Sequence, residues 1–215
     1  MASRIGSPPG TAVSQALKEW DVVVAALEQG RQAILIRKGG LHDPGRRLPI
    51  PRGRFWLYPT LFHERGVFLR QEHRSLLVPG AHRLRRAEAT MQPRPDGHAR
   101  PVTPGHVSLG SLGEVVDCVV APGMPSLTAL LPRTVWTEKY PTLRYRWRPE
   151  ERPLVLVLRV LTLPGRVEVP ELAEYGGCRS LVSLVTPPAS DAARPVWTEA
   201  RLDEEVEAVR SLLRA

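Results

Sequence analysis

Pro153-Leu154-Val155-Leu156-Val157-Leu158-Arg159-Val160-Leu161-Thr162-Leu163 is the stretch that decides the fold. It is apolar at consecutive positions rather than at every second one, so both faces of the strand it forms must be covered, and it sits centrally in a sheet. Pro164-Gly165 is read as its end. Arg159, alone in the middle of this run, needs a carboxylate partner if its guanidinium is buried; Glu19 and Asp117 are the candidates.

Outward from this strand the chain alternates strand and helix signals. Downstream, Ser180 to Val185 is a short strand, and Thr198 to Leu213 is an amphipathic helix with Leu202, Val206, Val209 and Leu213 on one stripe. Upstream, Thr137 to Trp147 reads as a helix in which Pro141 is tolerated only in the first turn. Ser126 to Leu131 supplies a helical turn, and Val107 to Val120 a strand through Val115-Val116-Asp117-Cys118-Val119-Val120. Near the start, Leu17, Trp20, Val23, Val24 and Leu27 recur at three- and four-residue steps, predicting a helix over 14–29. Ala33 to Ile36 and Phe55 to Tyr58 read as two strands paired with each other, joined by a mobile Arg/Pro-rich loop from His42 to Arg54. His63 to Val78 is read as a short helix on Phe68, Leu69, Leu76 and Leu77.

The fold class expected is therefore α+β: one mixed or mostly antiparallel sheet with its central strand near 153–163, packed by helices near 14–29, 137–147 and 198–214. Residues 1–13 form a flexible leader, 14–186 a single domain interrupted by a poorly ordered insertion near 79–104, and 187–215 a linker with the C-terminal helix. The insertion is rich in Arg, Pro, Gly and His, and cannot bury enough surface to offset the entropy of ordering.

Composition excludes several classes. The chain has 215 residues, 42% of them hydrophobic, with no apolar run near the length of a membrane span and no secretory h-region, so a cytoplasmic protein without membrane contact is expected. Cys118 and Cys178 stand sixty positions apart with no CxxC, and read as buried free thiols. No cofactor or metal is expected: GxxxxGK[ST], GxGxxG, HExxH and GxSxG are all missing, and the six His lie between 42 and 106 without ligand spacing. Only Lys18, Lys38 and Lys139 exist, none preceded two residues earlier by an acid, which removes the (D/E)xK of restriction-type nucleases. Glu204-Glu205-x-Glu207 reads as a solvated helix face.

The formal net charge is +8, and residues 31–100 hold 15 basic against 5 acidic side chains. Such a segment attracts phosphate backbones. Arginine supplies 27 of the 30 basic residues, a bias that a GC-rich genome also imposes. Two stretches stand out. Tyr140-Pro141-Thr142-Leu143-Arg144-Tyr145-Arg146-Trp147-Arg148 alternates aromatic and guanidinium groups, as base stacking with phosphate pairing requires. The bland reading packs Tyr140, Leu143 and Trp147 into the core with arginines snorkelling around them. Arg37-Lys38-Gly39-Gly40 is either an anion-binding strand end or a plain turn. Arg37, Lys38, Arg144, Arg146, Trp147 and Arg148 are thus the candidate contacts to DNA or RNA. Two other readings stay open: an enzyme with Glu19, Lys38, His63 and Arg159 in one pocket, and a protein-interaction module docking through its C-terminal helix.

Several short stretches, taken together, resemble an uncharacterised bacterial family, the domain of unknown function numbered 1802. They are Ala16-Leu17-Lys18-Glu19-Trp20, Ile36-Arg37-Lys38-Gly39-Gly40, and Phe55-Trp56-Leu57-Tyr58-Pro59-Thr60 with His63. Trp136-Thr137 leading to Arg144 and Trp147, Pro153-Leu154 through Leu158-Arg159-Val160, and Tyr175-Gly176-Gly177-Cys178-x-Ser180 complete the set. The resemblance implies no assigned activity. It marks Lys18, Glu19, Trp20, Thr60, His63, Trp136, Thr137, Arg159 and Cys178 as motif residues of unknown role. Some relatives are joined to restriction-endonuclease-type domains, which implies a nuclease-type partner and a role beside DNA modification or defence. Pro141 and the 79–104 insertion depart from the family pattern.

Overall fold

The computed structural model describes residues 13–39, 43–60, 66–77, 84–85, 91–93, 99–101 and 105–214. In chain order its elements are strand β1 (Gln15–Trp20), helix α1 (Asp21–Glu28), strands β2 (Ile34–Arg37) and β3 (Arg54–Thr60), the short strands β4 (Leu84–Arg85), β5 (Met91–Pro93) and β6 (Ala99–Pro101), and the long strand β7 (His106–Val120). Helices α2 (Met124–Ala129) and α3 (Lys139–Arg146), strands β8 (Leu154–Pro170), β9 (Leu181–Ser183) and β10 (Arg194–Pro195), and helix α4 (Glu199–Arg214) follow. Single 3-10 turns lie at Pro44–Arg46, Leu131–Arg133 and Ala173–Tyr175, and a longer 3-10 helix at Gln71–Leu77.

The main sheet runs β10-β8-β7-β3-β1-β9, with β2 also on β8 and β4 also on β7. It is mixed, because β1 and β3 are parallel while the other pairs are antiparallel. With the helices outside it, this is the α+β class expected, and the apolar run at 154–163 lies centrally, between β7 on one side and β2 and β10 on the other.

Four expectations give way. The helix over 14–29 is half strand: Gln15–Trp20 pairs with β3 and β9, and only Asp21–Glu28 is helical. Phe55–Tyr58 pairs with β1 and β7, while Ile34–Arg37 pairs with β8, so the two do not form a hairpin. Pro164-Gly165 does not end β8. Leu109 faces Val167 and Ser111 faces Thr162, so Leu163 to Arg166 bulge out opposite Gly110 and the proline needs no ladder N–H. In the connection read as a mobile loop, Asp43, Leu48 and Pro51 are buried, and Asp43 Oδ1 accepts the Ser180 N–H at 2.8 Å.

The expected helix over 63–78 is a 3-10 segment at Gln71–Leu77; residues 63–65 and 78 lie outside the described residues, as do 1–12 of the expected leader. The expected insertion is described only at β4, β5 and β6, of which β4 pairs with β7 and β5 with β6.

Two apolar clusters flank the sheet. The larger joins α1, β2, α2, β8 and α4 through residues such as Leu27, Ile36, Leu127, Leu158 and Val209. The smaller gathers Ala16, Trp56, Tyr58, Leu109, Leu112 and Tyr175 on the opposite face. Leu202, Val209 and Leu213 of α4 are buried in the larger cluster, so the stripe proposed for docking a partner is used within the chain. Arg159 pairs with Glu114 at 2.9 Å and Glu199 at 2.7 Å, rather than with Glu19 or Asp117. Asp117 holds Arg210 instead. Glu205, read as solvated, is buried and paired with Arg133. Cys118 is half-buried, and Cys178, read as buried, is exposed.

Candidate functional site

Polar side chains stand at or next to the ends of β1, β2 and β3, namely Glu19, Arg37 and Thr60, and they find partners across the gap between β1 and β2. Arg37 Nη1 donates to Glu19 Oε2 at 2.6 Å and to the Lys18 carbonyl at 2.8 Å. One guanidinium thus ties β2 to β1 where no ladder does. Glu19 Oε1 also accepts the Trp20 N–H, and Thr60 Oγ1 donates to the Glu19 carbonyl at 3.1 Å. Both charges of the pair are buried, so each depends on the other.

Beside this pair stand aromatics from α3 and from the chain leading into it. Trp136 and Tyr140 stack at 4.1 Å, and Trp20 meets both edge-on at 5.6 Å. Tyr140 Oη donates to the Ile36 carbonyl and accepts from Arg144 Nε, each at 3.1 Å. Burial pushes the Tyr140 phenol above its ordinary range. The Arg144 guanidinium lies over Trp20 at 5.0 Å and over Tyr140 at 5.3 Å. Thr137 N–H donates to the Phe68 carbonyl at 2.7 Å, pinning the start of α3. Helix α3 begins at Lys139, which leaves Pro141 in the first turn, where its missing N–H costs nothing.

The end of α3 is held by a lysine. Lys38 Nζ donates to the carbonyls of Tyr145, Trp147 and Arg148 at 3.1, 2.6 and 3.0 Å. Arg148 takes a left-handed backbone (φ 54°), donates to the Gly39 carbonyl, and pairs with Glu151. Lys18 does the same for another turn, with Nζ donating to Tyr175 O at 2.8 Å and Gly177 O at 2.9 Å. Burial pulls both ammonium groups down from the usual lysine range.

The candidate contacts therefore divide. Arg37 and Lys38, expected on a wet surface, are interior, with their charges spent on Glu19 and on main-chain carbonyls. Tyr140 is buried, as the bland reading had it; Arg144, Trp147 and Arg148 are half-buried and Arg146 exposed. Arg148 caps the Trp147 ring at 5.2 Å. Of the motif residues, Lys18, Glu19, Trp20, Thr60, Trp136 and Thr137 gather around this junction. Cys178 lies in the turn that Lys18 holds, and Arg159 belongs to the α4 side of the sheet. His63 lies outside the described residues. Among the described residues Glu19 is held by Arg37, Lys38 by the carbonyls at the end of α3, and Arg159 by Glu114 and Glu199.

Sequence reasoning missed Tyr58. Its hydroxyl is buried and has no hydrogen-bond partner among the described residues, and burial pushes its phenol far above the ordinary range. The alternation Trp56-x-Tyr58 was the available signal, since it places both side chains on one face of β3. Among the described residues no three His, Cys, Asp or Glu lie together as metal ligands, and no helix is long and apolar enough to cross a membrane.

The profile of one family, described as Domain of unknown function (DUF1802), matches residues 16–208. The chain belongs to this family. The match spans the Lys18–Trp20 strand end, Arg37-Lys38, α3 and most of α4. No curated protein matches the sequence. Among solved structures the chain is similar to the crystal structure of ASCH from Zymomonas mobilis, at 13% identity and TM-score 0.38, covering 90% of this chain and 93% of that one. A point mutant of the same protein aligns at 11% identity and TM-score 0.42, over 90% and 96% of the two chains.

Proposed function

We propose that this member of the family is a non-catalytic module that associates with DNA or RNA, gripping it through Arg144, Arg146, Trp147 and Arg148. The observation that carries the reading is the half-exposed Trp147 ring, capped by the Arg148 guanidinium and followed backward along α3 by exposed Arg146. An indole with guanidinium groups beside it offers a base a stacking surface and its phosphate a charge partner. Arg37 and Lys38 serve this surface from beneath, by holding β2 to β1 and fixing the last turn of α3. The basic balance of residues 31–100 adds attraction at longer range. Any cleavage chemistry belongs to a nuclease-type partner.

Filter binding of the full chain to single-stranded and duplex DNA and RNA tests this. Retention is expected at about 50 mM salt, weakening steeply towards about 200 mM as released counterions lose their advantage. Trp147→Ala should weaken single strands by about 1–3 kcal/mol per base no longer stacked. Absence of binding to every polymer at low salt would end the proposal.

A further inference from the structure

An amine and a thiol meet in the turn before β9. Lys18 Nζ donates to the Tyr175 carbonyl at 2.8 Å and to the Gly177 carbonyl at 2.9 Å, and Gly177 leads directly into Cys178. The bond to Gly177 is exposed, and so is Cys178. Burial pulls the ammonium down from the usual lysine range, against the opposing pull of Cys178 first, then Glu171 and Asp43, with Arg179 acting alongside burial. The two thiols of the chain differ in kind. Cys118 is half-buried, and burial beside Asp117 pushes its thiol up, which keeps it protonated and slow to oxidise. Cys178 is the one that an oxidant in solution meets.

The geometry points to an oxidative cross-link between Lys18 Nζ and Cys178 Sγ, formed when hydrogen peroxide reaches this turn. An ammonium has no lone pair, whereas a neutral amine has one and keeps two N–H donors. The Tyr175 and Gly177 carbonyls accept two, so Lys18 can lose its third proton without leaving the turn. Burial favours that loss. Peroxide first converts the Cys178 thiol to a sulfenic acid and is itself reduced, releasing one water. The Lys18 lone pair then attacks the sulfur. The N–S bond forms as the S–O bond breaks, and the departing hydroxide takes an amine proton to leave as a second water. One equivalent of peroxide accounts for the two electrons lost by sulfur. The product, a sulfenamide, ties β1 to the turn before β9, and a thiol reductant restores both side chains. This modification does not depend on polynucleotide binding.

The test uses the full chain carrying Cys118→Ala, so that no second thiol can form an internal disulfide. It is treated with one equivalent of hydrogen peroxide and weighed intact by mass spectrometry without reductant. The expected product is lighter than the untreated chain by two hydrogens. Trypsin should then fail to cut after Lys18, and should release residues 5–31 joined to residues 167–179. Dithiothreitol should restore both the mass and the cleavage. Lys18→Arg in the same background keeps a cation on the turn but offers no amine, and should gain oxygen at Cys178 instead. Any wild-type product that retains oxygen overturns the inference, as does a disulfide-linked pair of chains or a Lys18 that trypsin still cuts.

Discussion

Two of the three lysines in this arginine-rich chain do the same job. An ammonium is a point charge with three donors that can converge on carbonyls pointing inward from a turn, whereas a planar guanidinium presents its donors in a fixed fork. Lys38 closes the last turn of α3 in this way. Lys38→Met should therefore cost about 2 kcal/mol, the loss of a charged donor to buried acceptors, read as a lower midpoint in urea. Lys38→Arg should recover less than half of it. The charge of Lys38 was legible in the sequence but its direction was not, because Arg37-Lys38-Gly39-Gly40 carries no trace of the carbonyls at 145, 147 and 148 that meet it.

Tyr58 and Tyr140 give a second prediction at this scale. Burial raises both phenols, so folded protein keeps their protons at a pH where the unfolded chain, near pH 10, releases them. The unfolded state then binds fewer protons, and stability is intact below about pH 10 and falls as pH rises further. Phenolate absorbance from these two rings should appear only together with loss of circular dichroism. A Tyr58→Phe, Tyr140→Phe chain should lose less stability than wild type over the same alkaline range.

Among the elements, β1 shows where periodicity misleads. Leu17, Trp20, Val23, Val24 and Leu27 fit a helical face across both β1 and α1, yet Gln15–Trp20 is held between β3 and β9. A short segment satisfies both periods, and the neighbours available in the fold decide. The central strand was legible because an apolar run that long has no other place, but its continuation through Pro164-Gly165 was not. That depends on the bulge opposite Gly110, where Arg166 donates to Ser108 and Glu28. The β3–β7 pair has a sharper requirement. Gly113 lies opposite Phe55, and a Cβ there would stand 2.8 Å from the ring. Phe55 is fully buried and cannot step aside. Gly113→Ala should thus cost about 1–3 kcal/mol by overpacking. Since Phe55 is the obstacle, Phe55→Leu in the Gly113→Ala background should lose less than the two single losses added together, measured as a double-mutant cycle.

Over the whole molecule, the question is what holds the acidic C-terminal helix against a basic body. Among the described residues three ion pairs cross to it: Arg159–Glu199, Arg133–Glu205 and Arg210–Asp117. The same helix buries Leu202, Val209 and Leu213. Glu199 is 52% exposed, so water and salt screen its pair and its net worth is under about 1 kcal/mol. Leu202 is 2% exposed and packs in the main cluster, where removing three carbons leaves a cavity costing about 2–5 kcal/mol. The apolar stripe, not the charges, is then what keeps α4 docked. Leu202→Ala should lower the urea midpoint several times more than Glu199→Gln, and about 1 M salt should leave the wild-type midpoint nearly where it was. The reverse order would mean that the helix is steered onto the sheet by charge and only loosely packed, in which case the stripe would again be available to a partner.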